Sequence, residues 1–254
     1  MTYHNPVLLQ EAVAFLAVKP GYKYIDCTLG GGGHTRLIIS QGGIVLGLDQ
    51  DPEALQACPD LDHLTKVHAN FTHLTEVANQ NGFNPVSGIL IDLGVSQHQI
   101  EAAARGFSFR LDGPLDMRMD KSSPITAATL VNQLPVNQLS VLFKDFGEIP
   151  VAKTLAEKII AARPINSTMH LASITGKWSQ QAFQSLRIAV NDELGALKSV
   201  LPQAYNLLEP AGRLVVISFH SLEDRIVKHH FSKNNLVKYL EGFKNAKLRA
   251  YVKT

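Results

Sequence analysis

The chain has 254 residues, 45% of them apolar and 18% charged, with a formal net charge of +2. Those proportions are ordinary for a soluble globular protein with a sizeable core, built as one large domain or two small ones. No window approaches the roughly 18 unbroken apolar residues that span a bilayer. The opening Met1-Thr-Tyr-His-Asn-Pro lacks a basic region followed by an apolar run, so no signal peptide and no membrane partner are expected. Cys27 and Cys58 lie far apart without metal-ligand spacing and read as reduced thiols of a cytoplasmic protein; no metal is expected. The small net charge neither requires nor excludes a nucleic-acid partner.

Residues 7–18 place apolar side chains at helical spacing and predict a leading amphipathic helix, stopped by Pro20-Gly21. A first strand over about 23–28 runs into Gly30-Gly-Gly-Gly33. A helix follows through Leu37 and Ile39 and closes at Gly42-Gly43. The second strand is 44–49, and Asp51-Pro52 is an N-cap with proline at the first helical position. A third strand is expected at 65–69. The next helix carries Leu74 and Val77 and stops at Asn81-Gly82, before a fourth strand at 88–93. Strands alternating with helices predict an α/β, doubly wound, Rossmann-like parallel sheet.

From about 100 to 181 the alternation breaks, with helical segments near 124–133, 135–146, 151–162 and 168–178. This block, 101–181, reads as an inserted helical subdomain for substrate recognition, between 1–100 and 182–254 of a discontinuous main domain. One long helix is expected over 182–208, then a fifth strand at 213–219. Ser221 is expected to cap the next helix, with Asp224 closing a capping box. The alternating Lys247-Leu-Arg-Ala-Tyr-Val-Lys253 predicts a closing edge strand.

Glycines at a strand–helix junction let the backbone turn sharply and approach a ligand. The dehydrogenase fingerprint spaces its glycines as G-x-G-x-x-G. Here they are contiguous, and Asp26 precedes them. A carboxylate there would repel a pyrophosphate and suits an amine-bearing, cationic cofactor such as S-adenosylmethionine. A nicotinamide-dependent dehydrogenase is therefore disfavoured. Asp49, at the second strand tip, is placed to accept from a ribose diol or to cap the next helix. Asp92 ends the fourth strand at the expected switch point of the sheet, so Asp26, Asp49 and Asp92 are expected to ring a cleft. Phe71, just past the third strand, packs either on an adenine face or in the core.

Several longer blocks carry a family resemblance: His4-Asn-Pro-Val-Leu-Leu, Asp26-Cys-Thr-Leu-Gly-Gly-Gly-Gly-His34, Asp92-Leu-Gly-Val-Ser96 and Gly106-Phe-Ser-Phe109. Asp112-Gly-Pro-Leu-Asp-Met-Arg-Met-Asp120, Phe183-Gln-Ser-Leu-Arg-Ile-Ala-Val-Asn191 and Ser218-Phe-His-Ser-Leu-Glu-Asp-Arg225 extend it over nearly the whole chain. The sequence resembles the MraW family, also called RsmH. The resemblance implies a class I methyltransferase fold and S-adenosylmethionine-dependent methylation of a cytidine N4 amine in small-subunit (16S) ribosomal RNA, as free RNA or in the 30S subunit. Carried over by position, it places the cofactor on Gly32, Gly33, His34, Asp49, Phe71, Asp92 and Gln99. The chain departs from the family at Pro150 and Gln181, where arginine is usual. It is also shorter between Phe231 and Lys244, so that the penultimate strand is expected to be absent or reduced. That shortening keeps open a catalytically weakened RNA-binding or assembly factor.

For such a reaction the cytosine N4 lone pair is delocalised into the ring, so the enzyme's main task is alignment, helped by an acceptor for an N4 hydrogen. Asp92, or else Ser96, is the expected acceptor. The cytidine must be unstacked from its neighbours. Phe107, Phe109, Phe219 and His220 are candidates to stack on it or to pack in the core. Arg118 holds a phosphate, lies on a solvated loop or forms an internal ion pair. Arg105, Arg110, Arg187, Arg225 and Lys228 form either a basic track for the RNA backbone or a scattered solvated surface.

Overall fold

The computed structural model describes residues 6–231, 236–242 and 246–254. His4 and Asn5 of the first family block, and Asn245 near the chain's end, lie outside the described residues. The opening helix α1, Leu9–Leu16, buries Ala12, Val13 and Leu16 on one face, and Ala17 ends it at φ 51°. Strand β1, Lys23–Asp26, is buried after its first residue. Helix α2, Gly33–Ser40, and strand β2, Ile44–Asp49, follow. Helix α3, Pro52–Ala57, is capped as expected, its Asp51 carboxylate accepting from the Glu53 N–H at 3.0 Å. Strand β3, Leu64–His68, helix α4, Leu74–Gln80, and strand β4, Val86–Asp92, complete the alternation.

A run of helices comes next: α5, Gln97–Glu101; α6, Ala127–Gln133; α7, Val136–Gly147; α8, Ala152–Ala161; α9, Thr168–Thr175; and α10, Ser179–Asn191. Helices α6 to α10 pack around a core of their own that includes Val131, Leu139, Phe143, Ile159, Leu171 and Leu186. The chain divides into two compact units, Met1–Gly94 with Leu194–Thr254, and Val95–Glu193. These bounds fall at 94/95 and 193/194, where the sequence pattern suggested 100/101 and 181/182.

The single helix expected over 182–208 is two helices. After α10, Asp192 takes the left-handed conformation at φ 46°, and α11 runs over Glu193–Leu207. A short polar side chain tolerates that conformation, so one aspartate breaks the helix without the glycine or proline that would mark a break in the sequence. The α10 segment belongs to the helical unit.

Strand β5, Leu208–Ser218, helix α12, Ser221–His230, strand β6, Leu236–Glu241, and strand β7, Lys247–Val252, end the chain. The seven strands lie in the order β3-β2-β1-β4-β5-β7-β6. The first five are parallel; β7 is antiparallel to β5 and β6 antiparallel to β7. Two expectations are corrected here. The penultimate strand is present despite the shortened segment, and β7 is an inner strand, its backbone paired with β5 on one edge and β6 on the other. The order reverses between β1 and β4, the switch point at which open sheets of this kind bind ligands beyond their carboxyl ends.

Candidate active site

The turn from β1 into α2 is shaped by packing as much as by backbone freedom. Gly32 sits at φ 75°, and a Cβ there would meet Cys58 Sγ at 2.6 Å. Gly33 has no unusual torsion, but a Cβ on it would meet Pro6 Cγ at 2.2 Å. Both positions are closed to any larger residue before a ligand enters the argument.

Asp49 and Asp92 end β2 and β4, the strands on either side of β1. Asp49 Oδ2 accepts from the Gly30 N–H at 2.8 Å and Oδ1 from the Asp51 N–H at 2.9 Å. Each oxygen retains a lone pair for a further donor, as a ribose diol requires. Burial pushes the Asp49 carboxyl up to about 6, against the pull of those two N–H groups. Asp92 is held from β1 through its backbone N–H, which donates to Thr28 Oγ1 at 2.8 Å. Its Oδ1 is buried and makes no hydrogen bond among the described residues. Burial first, then the charges of Asp26 and Glu223, push the Asp92 carboxyl well above its usual range.

His34 is 4% exposed, and burial pulls its imidazole down to about 4 against a hydrogen bond to the Val7 backbone. The ring is therefore neutral near pH 7, and its Nδ1 stands 3.8 Å from Asp92 Oδ2 without forming an ion pair. His34 Nε2 is a second buried polar atom with no hydrogen bond among the described residues. Phe71 opens a short helical turn after β3 and packs partly against the sheet's core.

Asp26, at the tip of β1 between Asp49 and Asp92, has both of its oxygens engaged within the fold. It is 1% exposed, its Oδ2 accepts from Thr35 Oγ1 at 2.8 Å, and its Oδ1 accepts from the Thr28 N–H at 3.1 Å. Burial raises it to about 6 and those bonds offset the rise. Asp26 fastens the glycine turn to α2. An Asp with Thr two residues on at a strand end is an Asx-turn, the signal that would have shown this.

The other expected residues have local duties. Ser96 caps α5: its Oγ accepts from the Gln99 N–H at 3.2 Å, and Gln99 Oε1 accepts from the Ser96 N–H at 3.0 Å. Ser96 and Gln99, with Phe109 and Arg118, belong to the helical unit. Phe109 meets Phe183 edge-on at 5.9 Å, with the exposed Arg110 guanidinium 5.5 Å from its ring centroid. Phe107 is buried in the helical core.

Arg118 is turned inward. It makes a two-pronged bond to Asp116, both contacts 2.8 Å, and donates to the carbonyls of Lys121 and Ser123 at 2.8 and 2.7 Å. Four of its five N–H groups are thereby taken within its own loop, which corrects the phosphate reading. The expected basic track loses two members. Arg105 is buried and donates to the Arg118 and Met119 carbonyls, both at 3.0 Å; Arg187 forks onto Glu193 at 2.8 and 2.9 Å.

His220, not Ser221, is the N-cap of α12, and Glu223, not Asp224, is its partner. His220 Nδ1 accepts from the Glu223 N–H at 3.4 Å, and its side chain is 9% exposed, too enclosed to stack on a base. Histidine lies outside the usual capping set, so the pattern pointed one residue too far on. Asp224 instead pairs with Arg249 at 2.7 Å, tying α12 to β7.

The acids at the tips of β2 and β4 and the orphaned atoms of Asp92 and His34 suit a ligand that is cationic and rich in hydroxyl donors. The chain matches the MraW methylase family over residues 1–246. It belongs to that family. It is 46% identical to ribosomal RNA small subunit methyltransferase H of Symbiobacterium thermophilum over 254 residues, 91% of this chain and 80% of the relative. The protein of the same name from Amoebophilus asiaticus is 45% identical over 92% of this chain and 81% of its own length. Among solved structures, a putative rRNA methylase from Clostridium thermocellum shares the fold, at TM-score 0.51 and 12% identity with 99% of each chain covered. The fold of this MraW-family chain is that of class I methyltransferases, and its methyl donor is S-adenosylmethionine.

Proposed function

We propose that this protein methylates the exocyclic N4 amine of a cytidine in small-subunit ribosomal RNA, in the cytoplasm. The observation that carries this reading is the Asp92 carboxyl, which ends β4 at the switch point with a buried oxygen lacking a partner. The relatives' names supply the RNA class. S-adenosylmethionine, when bound, supplies an electrophilic methyl group on a cationic sulfur. Asp49 would hold the ribose hydroxyls, and the turn at Gly32, Gly33 and His34, with Phe71, would hold the rest; Gln99 is a further cofactor residue that the family resemblance implies.

A positive ligand beside Asp92 offsets the burial that disfavours its charge, so the carboxylate becomes available as the reactants assemble. It would accept a hydrogen bond from the N4 amine, turning the nitrogen lone pair toward the methyl group, and then take the proton that the methylated amine sheds. Within the helical unit, Phe109 with Arg110 is a surface of the right kind for an RNA base and its phosphate. Ser96 and His220 would act by holding helix termini, and Arg118 by holding its loop.

The test is methyl transfer from labelled S-adenosylmethionine to 30S subunits, and to free 16S RNA, from cells lacking the enzyme, with mass mapping of the product. N4-methylcytidine made by the wild type and abolished by Asp92→Asn is the expected result. Label on another base or position, or full turnover by Asp92→Asn with both substrates saturating, overturns the reading.

A further inference from the structure

The block Ser218-Phe-His-Ser-Leu-Glu-Asp-Arg225 holds a carboxylate that the reaction described so far leaves without a task. Glu223 is 2% exposed, yet it sits in the first turn of α12, where a capping glutamate is ordinarily at the surface. One oxygen, Oε2, accepts from two backbone groups, the Phe219 N–H at 2.7 Å and the His220 N–H at 3.2 Å. The other, Oε1, lies 3.2 Å from His220 Nε2. The carboxylate is thus fixed at the exit of β5.

That exit adjoins the tip of β4. Asp92 pairs with Ile217, and the Leu93 N–H donates to the Ile217 carbonyl at 2.9 Å. Two residues past Asp92, Gly94 turns at φ 96°, and a Cβ there would stand 3.4 Å from Phe219 Cδ2. The Phe219 ring therefore lies against the segment that leaves Asp92. Phe219 and His220 are the residues whose backbone Glu223 holds.

We infer that Glu223 is a positioning residue for the methyl-transfer site: its buried carboxylate fastens the turn after β5 against the tip of β4 and keeps a negative charge beside the Asp92 carboxyl. This rests on Asp92 as the proton acceptor. The titratable groups around Asp92 are Asp26 on β1, His34 on α2 and Glu223 on α12. His34 is neutral, so the negative neighbours are Asp26, the stronger of the two, and Glu223, which adds a second charge from the first turn of α12. A negative neighbour makes Asp92 a stronger base.

Glu223→Gln separates the two duties, because an amide oxygen still accepts from Phe219 and His220 while the charge is gone; Glu223→Ala removes both. The measurement is the pH profile of kcat on 30S subunits at saturating S-adenosylmethionine, with the donor's Kd and thermal unfolding recorded alongside. Glu223→Gln is expected to fold and bind the donor as the wild type does. The acid limb of kcat should move to lower pH by about half a unit or more, since Asp92 holds its proton less tightly. Glu223→Ala is expected to lose stability as well as turnover. A Gln variant whose profile superimposes on the wild type overturns the inference and leaves Glu223 a helix cap. Should Asp92→Asn keep full turnover, the acceptor reading falls first, and the two failures are told apart.

Discussion

Two polar stretches carry the densest motifs of this chain, and they use their polar atoms in opposite ways. At the tips of the sheet, Asp92 and His34 each keep a buried atom without a hydrogen bond among the described residues. In the helical unit, the loop through residues 105–120 turns Arg105, Asp116 and Arg118 on its own surroundings. Arg118 forks onto Asp116, Arg105 reaches two backbone carbonyls, and Met119 N–H donates to Asn191 Oδ1 at 2.8 Å. Buried polar groups are normally satisfied within the fold. An unmet buried group leaves room for a ligand's donor or acceptor, and on the proposed reading the tips of the sheet are where that ligand binds, while the loop is scaffold.

The largest effect expected from breaking this contrast is at Asp92. Asp92→Asn should lower kcat about 100-fold or more, the span of a lost general base. It should also raise the melting temperature of the ligand-free protein. A carboxyl raised by burial destabilises the fold at pH values above its unfolded value, near 3.8, and that burden disappears as pH falls to that value. Calorimetry at pH 7 and pH 4 checks this: the gain should be present at the first and vanish at the second. A variant that is both inactive and less stable at pH 7 would mean that Asp92 is structural.

Arg118→Ala is the mirror image. It should cost about 2 kcal/mol, discounted from a fully buried pair because a fifth of the side chain meets solvent, with no change in donor affinity. Burial raises Asp116, but the hydrogen bonds and charge of Arg118 outweigh it and hold the carboxyl below its usual range. The stability this contributes is present above the unfolded value and lost as pH falls through the folded one. Urea unfolding should therefore show the gap between variant and wild type closing below about pH 4.

Gly32→Ala tests whether the glycine turn is set by packing. It should cost about 1–3 kcal/mol, from the positive φ and from Cys58 Sγ. Cys58→Ala in the same chain should recover the steric part only. Full recovery would show that the torsion is free of strain.

The smallest effect belongs to Arg110, whose guanidinium lies exposed over Phe109. Arg110→Ala should leave stability unchanged, weaken RNA binding less than about tenfold and reduce the salt slope by about 1. A loss of stability like that of Arg118→Ala would place Arg110 with the scaffold.

Most of the sheet unit is legible in the sequence, because apolar runs ended by aspartate, glycine or proline state both the strand and its limit. Strand β2 and the Asp51-Pro52 cap fall where the pattern puts them. Legibility fails where the deciding contact is distant or the signal is weak. A single left-handed aspartate splits α10 from α11, and a histidine cap shifts the α12 box by one residue. The partner that makes β7 an inner strand is β6, which the length of the shortened segment does not reveal.

By itself the sequence determined the alternation of strands and helices, the side-chain-free turn, the acids at the strand ends and the family. Local patterns suffice for those, since each is written within a few residues. Only the tertiary structure decided which polar atoms are engaged and which are open. Thr28 reaches the backbone of Asp92 across 64 residues, and Arg118 is closed by carbonyls that any residue type would supply. Whether a hydrogen-bonding group is satisfied depends on what stands within about 3 Å of it, and that neighbour is fixed by folding rather than by its place in the chain.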